Sequence, residues 1–159
     1  MATNRKIRVG IIGANPSRGF ASIAHIPALQ ALADFEITAV CTTRQDSADA
    51  AARHYGVPLA FCDAEKLARG ALAIQRRVLG PDHPDTAMST YNLGGIALHK
   101  GKPDEALSLL REAVDHGLAP NIALQLEKDP DLAALHTDPR FSALVAHAKE
   151  RAAAAQKPN

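Results

Sequence analysis

Residues 71–117 read ALAIQRRVLGPDHPDTAMSTYNLGGIALHKGKPDEALSLLREAVDHG. With Leu67 just upstream, Ala71, Ile74 and Val78 recur at helical spacing and predict an amphipathic helix. Gly80-Pro81-Asp82-His83-Pro84-Asp85 should end it. Asp85 or Thr86 can cap the next helix, because a side-chain oxygen there accepts an unsatisfied backbone N–H. That helix is expected over Thr86 to His99, stopping at Lys100-Gly101-Lys102-Pro103. A third is expected over Asp104 to His116, with Ala106, Leu107, Leu110 and Ala113 on one face and Gly117 as its stop.

This stretch resembles tetratricopeptide repeats, of the longer kinesin-light-chain-like type with a GPDHPDT linker. The matching positions are Leu93 and Gly94 in the first helix, Gly101 at the turn, and Ala106, Leu110 and Ala113 in the second. The bulky residue expected near Ala97 is missing. The resemblance implies a helical hairpin that binds a protein or peptide, with Asn92, Ile96 and His99 lining an apolar groove as the contact surface. Each repeat leaves an apolar face for its neighbours to cover, so about three are usually needed. Only one full pair is read here, plus the closing helix of a preceding unit. Leu118 to Ala155 is expected to cap it through Ile122, Leu124, Leu126, Leu132, Leu135, Phe141, Leu144 and Val145. LEKDPDLAALHTDPRFSALVAHAKERAAA (126–154) resembles the closing segment of bacterial tetratricopeptide proteins, and residues 152–159 are expected to fray.

Toward the N-terminus the pattern changes near residue 65. Ile7 to Gly19 reads IRVGIIGANPSRG, an apolar run expected to be a strand buried on both faces, then a glycine-bracketed turn. Phe20, Ile23, Ala24, Ile26, Leu29 and Leu32 follow at mostly helical spacing, with Pro27 kinking the helix or starting it in two pieces. Glu36 to Cys41 reads as a second buried strand, Ser47 to Tyr55 as a helix stopped by Gly56, and Leu59 to Cys62 as a third strand. The order β-α-β-α-β is half of a doubly wound sheet. A helix near Asp63–Leu79 would finish that sheet and also open the repeat, so that the two halves share a core.

Backbone N–H groups at a helix N-terminus can hold a pyrophosphate, and glycines let the chain approach it. Gly13 takes the first place of a G-x-G-x-x-G fingerprint and Asn15 the second, where Asn tolerates a left-handed backbone. Ser17 and Arg18 stretch the turn before Gly19. A turn that binds nothing is the plain alternative. The second strand normally ends in an acid that selects NAD(H). Here it ends in Cys41-Thr42-Thr43-Arg44, and hydroxyls plus a guanidinium suit the 2′-phosphate of NADP(H). A solvated loop arginine is the alternative reading of Arg44.

Residues 6 to about 66 resemble the N-terminal segment of the Gfo/Idh/MocA oxidoreductase family, through VGIIGANPSRGFASIAHIPAL, EITAVCTTR and ADAAARHYGVPLAFCDAEKL. The resemblance implies a Rossmann domain binding NAD(P). It places Gly13, Asn15 and Gly19 in the phosphate turn, and Thr43 and Arg44 at the adenosine ribose. It also implies a Glu-Lys-Pro stretch with a catalytic lysine, and a substrate domain. Glu65-Lys66 is instead followed by Leu67, and Gln156-Lys157-Pro158 lies at the far tail. No catalytic residue is therefore assigned.

The remaining composition narrows the classes. With 18 basic and 17 acidic residues the formal net charge is +1, which gives no footprint for nucleic acid. No apolar run approaches the roughly 20 residues needed to span a bilayer. MATNRKIRVG lacks a signal-peptide core, so a cytoplasmic location is expected. The seven histidines, His25, His54, His83, His99, His116, His136 and His147, lack metal-ligand spacing, and no metal is expected. Cys41 and Cys62 are read as buried reduced thiols.

The expected domains are a truncated NAD(P)-binding Rossmann-like segment at 1–64, a tetratricopeptide-like repeat at 65–117, and a helical cap and tail at 118–159. The fold is thus α/β with three parallel strands, then all-α. A gene fusion or truncation is the simplest origin. The leading expectation is a non-catalytic protein that binds NADP(H) and a protein partner, or associates with itself. The rival is an oxidoreductase subunit borrowing its substrate domain from another chain. A fusion product without selected function stays open.

Overall fold

The structure is a computed structural model and describes residues 6–155. The chain divides into two units, Met1–Leu67 and Ala68–Asn159. The first contains β1 (Ile7–Ile12), a π-helical turn (Ala21–His25), α1 (Ile26–Ala31), β2 (Phe35–Cys41), α2 (Gln45–Tyr55) and β3 (Leu59–Phe61). α3 (Ala64–Val78) begins in it. The three strands are parallel in the order β1-β2-β3, each crossover carrying a helix. The expected three-stranded parallel arrangement is therefore present.

β2 is central, and Thr38 through Cys41 are buried. Successive β2 side chains serve opposite faces. Val40 joins Ile11, Ala14, Ala21, Ile26, Ala51 and Val57 on one side. Ala39 and Cys41 meet Leu67, Phe61 and Ala64 on the other. A bulge puts Val9 opposite Ile37 but Gly10 opposite Ala39. A Cβ on Gly10 would lie 3.0 Å from Leu67, so glycine lets the first turn of α3 close on β1.

Two expectations fail here. β1 is not buried on both faces: Ile7 and Ile12 are 57% and 52% exposed, and only Ile11 is buried. β1 is an edge strand with a neighbour on the β2 side alone among the described residues. Pro27 does split the following helix in two. The wider π turn, however, carries Ile23 off the inward face, and Phe20 and Ile23 are exposed.

The second unit holds the rest of α3, then α4 (Pro84–His99), α5 (Pro103–Asp115), α6 (Pro120–Ala123), two 3-10 turns (Leu126–Lys128 and Pro130–Leu135) and α7 (Pro139–Ala155). Neither Asp85 nor Thr86 caps α4. Pro84 opens the helix earlier, and His83 takes the cap, its Nδ1 accepting the Asp85 N–H at 3.2 Å. Thr86 is left buried. α4 and α5 pack through Gly94, whose absent Cβ would lie 3.0 Å from Leu110.

The predicted inward stripe of α3 is one residue out of place. Ala71, Ile74 and Val78 are exposed, whereas Leu72 is buried, flanked at helical spacing by half-buried Ala68 and Gln75. Arg69 pairs with Glu105 and Arg76 with Glu112. Numbers rise together across both pairs, so α3 and α5 run parallel. α7 is parallel to α5 too: Arg140 Nη1 lies 2.7 Å from Asp104, and His147 Nε2 2.6 Å from Asp115.

Leu126, Leu132, Leu135, Phe141, Leu144 and Val145 join Leu107, Leu110 and Val114 in one core, with Ile122 packed against it. Leu124 is exposed and takes no part. Tyr91 donates its hydroxyl proton to Asp129, tying α4 to the second 3-10 turn. Burial first, and then the Asp129 carboxylate, push the Tyr91 hydroxyl well above its ordinary value. Residues 152–155 do not fray: they continue α7, with Ala152 buried, and 156–159 lie outside the described residues.

Candidate ligand cleft and helical face

Parallel strands gather their C-terminal ends along one sheet edge, where open α/β sheets bind ligands. β1 ends in the turn Gly13–Gly19, whose two glycines have φ of +83° and +97°. Gly13 and Ala14 donate their N–H groups to the Cys41 carbonyl, at 2.9 and 3.2 Å. These bonds fasten the turn to the end of β2. Asn15 does not use the left-handed backbone expected of it, since no described non-glycine residue has positive φ. Its Oδ1 instead accepts the Ser17 N–H at 2.9 Å, closing a local turn. Ser22 bonds the Gly19 carbonyl at 2.9 Å and holds the turn's far end.

A cleft of about 360 Å³ opens beside this turn. Gly13, Asn15, Arg18, Thr42 and Thr43, all named from the sequence, line it. Ser17, Gly19 and Arg44 are not in its lining. Arg44 is exposed and reaches Asp46 Oδ2 at 3.2 Å, next to the start of α2. Ile12, Cys41, Ser47, Cys62 and Ala64 complete the lining, and the sequence does not single them out as site residues. Ser47 had a usable signal, a hydroxyl one turn into the helix that follows β2. Its Oγ donates to the Arg44 carbonyl at 2.9 Å, and Thr42 donates to the same carbonyl at 3.0 Å.

Chemically the lining offers one guanidinium, three hydroxyls, an amide and two thiols. Such a set suits a phosphate-bearing ligand, and the volume sits at the lower end of small-molecule pockets. Cys41 is buried as expected, but Cys62 is exposed, because it lies just beyond the end of β3. Burial, and then the charges of Asp63 and Cys62, raise the Cys41 thiol above its ordinary value.

In the second unit, Asn92, Ile96 and His99 recur at four- and three-residue spacing on α4. Asn92 and His99 are exposed and Ile96 is half-buried, so the stripe is polar at both ends. His99 Nδ1 lies 3.0 Å from the Gly95 carbonyl of its own helix. Two histidines are engaged elsewhere, His116 with Asp82 at 2.7 Å and His147 with Asp115. Among the described residues no group of three or more His, Cys, Asp or Glu side chains could hold a metal ion. No helix among them is long and apolar enough to cross a membrane.

Residues 63–116 match the family model described as tetratricopeptide repeat. The match covers the whole of α3, α4 and α5. No curated protein and no solved structure matches the chain.

Proposed function

We propose that the chain is a non-catalytic binding protein, taking a protein or peptide partner on its helical unit and NADP(H) on the cleft of its strand unit. The observation that carries the reading is the match of residues 63–116 to a repeat that generally mediates protein–protein interaction. Asn92, Ile96 and His99 are the proposed contact residues, since they share an accessible face of α4. The test is affinity capture with the full chain, beside an Asn92→Ala/Ile96→Asp/His99→Ala variant that keeps the helical circular dichroism. Proteins retained by the first and lost by the second are the expected result. Equal capture by both would remove this face from the reading.

A second observation favours the nucleotide arm. The turn after β1 and the end of β2, far apart in sequence, converge on one cleft and bring Gly13, Asn15, Arg18, Thr42 and Thr43 together. Arg18 would face the pyrophosphate. Arg44 would leave Asp46 to meet the 2′-phosphate, which its exposure allows. Calorimetric titration with NADPH and NADH should show NADPH bound more tightly. Arg18→Ala should weaken both, and Arg44→Ala should erase the preference. Absence of heat for either nucleotide, in a chain that melts cooperatively, would leave the helical arm alone. The outer edge of β1, with no strand beside it among the described residues, supports self-association as a further partner mode. No observation favours the oxidoreductase alternative.

A further inference from the structure

The lining of the cleft includes two cysteines that the nucleotide reading does not use. Cys41 closes β2 and Cys62 follows β3. Cys41 lies opposite Phe61 in the parallel register, so Cys62 is its diagonal neighbour one residue on. Strands about 4.8 Å apart with a rise of about 3.3 Å per residue put such Cα atoms roughly 6 Å apart. That separation is inside the range a disulfide spans. The chain leaves the strand at Phe61, which frees Cys62 from the alternation that would otherwise turn it to the opposite face. Both residues line the same cleft.

We propose that Cys41 and Cys62 form a reversible redox pair that cross-links the ends of β2 and β3 beside the cleft, with a hydroperoxide as oxidant. Cys62 is the peroxide-reactive thiol because it is exposed. Its thiolate sulfur attacks one peroxide oxygen, and the O–O bond breaks. Cys62 becomes a sulfenic acid, and the other oxygen leaves as water or an alcohol after taking a proton. Cys41, buried beside it in sequence register, resolves it. Its sulfur attacks the Cys62 sulfur, the S–O bond breaks, and the departing hydroxide takes the Cys41 proton to leave as water. Two electrons pass from the thiols to the peroxide. A dithiol reductant restores both.

The test treats the purified full chain with hydrogen peroxide and maps peptides by mass spectrometry without reduction. The expected result is a Cys41–Cys62 linked peptide that has lost two hydrogens and is recovered by dithiothreitol. Cys41→Ser should instead accumulate a sulfenic acid that a dimedone probe traps on Cys62, and Cys62→Ser should oxidise far more slowly. Disulfide-linked dimers through Cys62, or over-oxidation of Cys62 with Cys41 still reduced, would overturn the pairing. The wild-type peptide map decides even where a variant fails to fold.

Discussion

Adjacent glycines in α4 provide a sharp test at the scale of single residues. A Cβ on Gly94 would press on fully buried Leu110 at 3.0 Å, with the Ala106 carbonyl at 3.4 Å behind it. A Cβ on Gly95 would meet nothing within 4 Å. Alanine gains about 1 kcal/mol of helix propensity over glycine at either place. Overpacking a closed core costs about 1–3 kcal/mol, which exceeds that gain. Gly95→Ala should therefore stabilise the helical unit, and Gly94→Ala should destabilise it, in denaturant melts of the two variants. Equal shifts in both would mean that the α4–α5 contact yields to an added methyl group. Gly94 was legible in the sequence only as a matching position of the repeat resemblance. Asn15 was misread, because its side chain and not its φ makes the turn.

Elements in the second unit are held at their ends by carboxylates. The side chain and backbone of Arg140 hold the Asp138 carboxyl, at the head of α7, below its ordinary value. Burial would raise Asp115, at the end of α5, but hydrogen bonds from His147 and Arg111 outweigh it and lower that carboxyl too. A group depressed in the folded state contributes stability above its unfolded value, near about 3.9, and loses it as pH falls through the folded value. The melting temperature of the helical unit should thus fall below about pH 4, and Asp138→Asn should flatten that fall. Parallel curves for variant and parent would exclude Asp138 as a source. The order and type of most elements were readable because turn residues punctuate them. The inward stripe of α3 was not, since two apolar stripes one residue apart compete. The ion pairs of Arg69 and Arg76 with α5 are long-range and leave no local pattern.

Across the whole molecule, cohesion is uneven. The helical unit has a single extended core built on Leu110, Leu126, Leu132, Leu135, Phe141 and Leu144. The strand unit divides its apolar residues between two smaller clusters on the faces of a three-stranded sheet. Native-state hydrogen exchange should therefore find its slowest amides in α4, α5 and α7, and fast exchange along β1. Slower exchange in β1 than in α5 would contradict this ranking. The parallel strand order was readable from alternating strand and helix signals, whereas of the residues the sequence singles out at the turn and after β2, Gly13, Asn15, Arg18, Thr42 and Thr43 line the cleft and Ser17, Gly19 and Arg44 do not. The exposure of β1 was not readable, because a strand's sequence does not state how many neighbours it has. The crossover between β1 and β2 carries a further consequence, for timing. Pairing Ile7 with Phe35 closes a long loop, whereas α4 and α5 meet across a few residues at Lys100–Lys102. Local contacts form faster than distant ones. On refolding from denaturant the helices should therefore reach their final packing before the sheet, although the sheet residues come first along the chain.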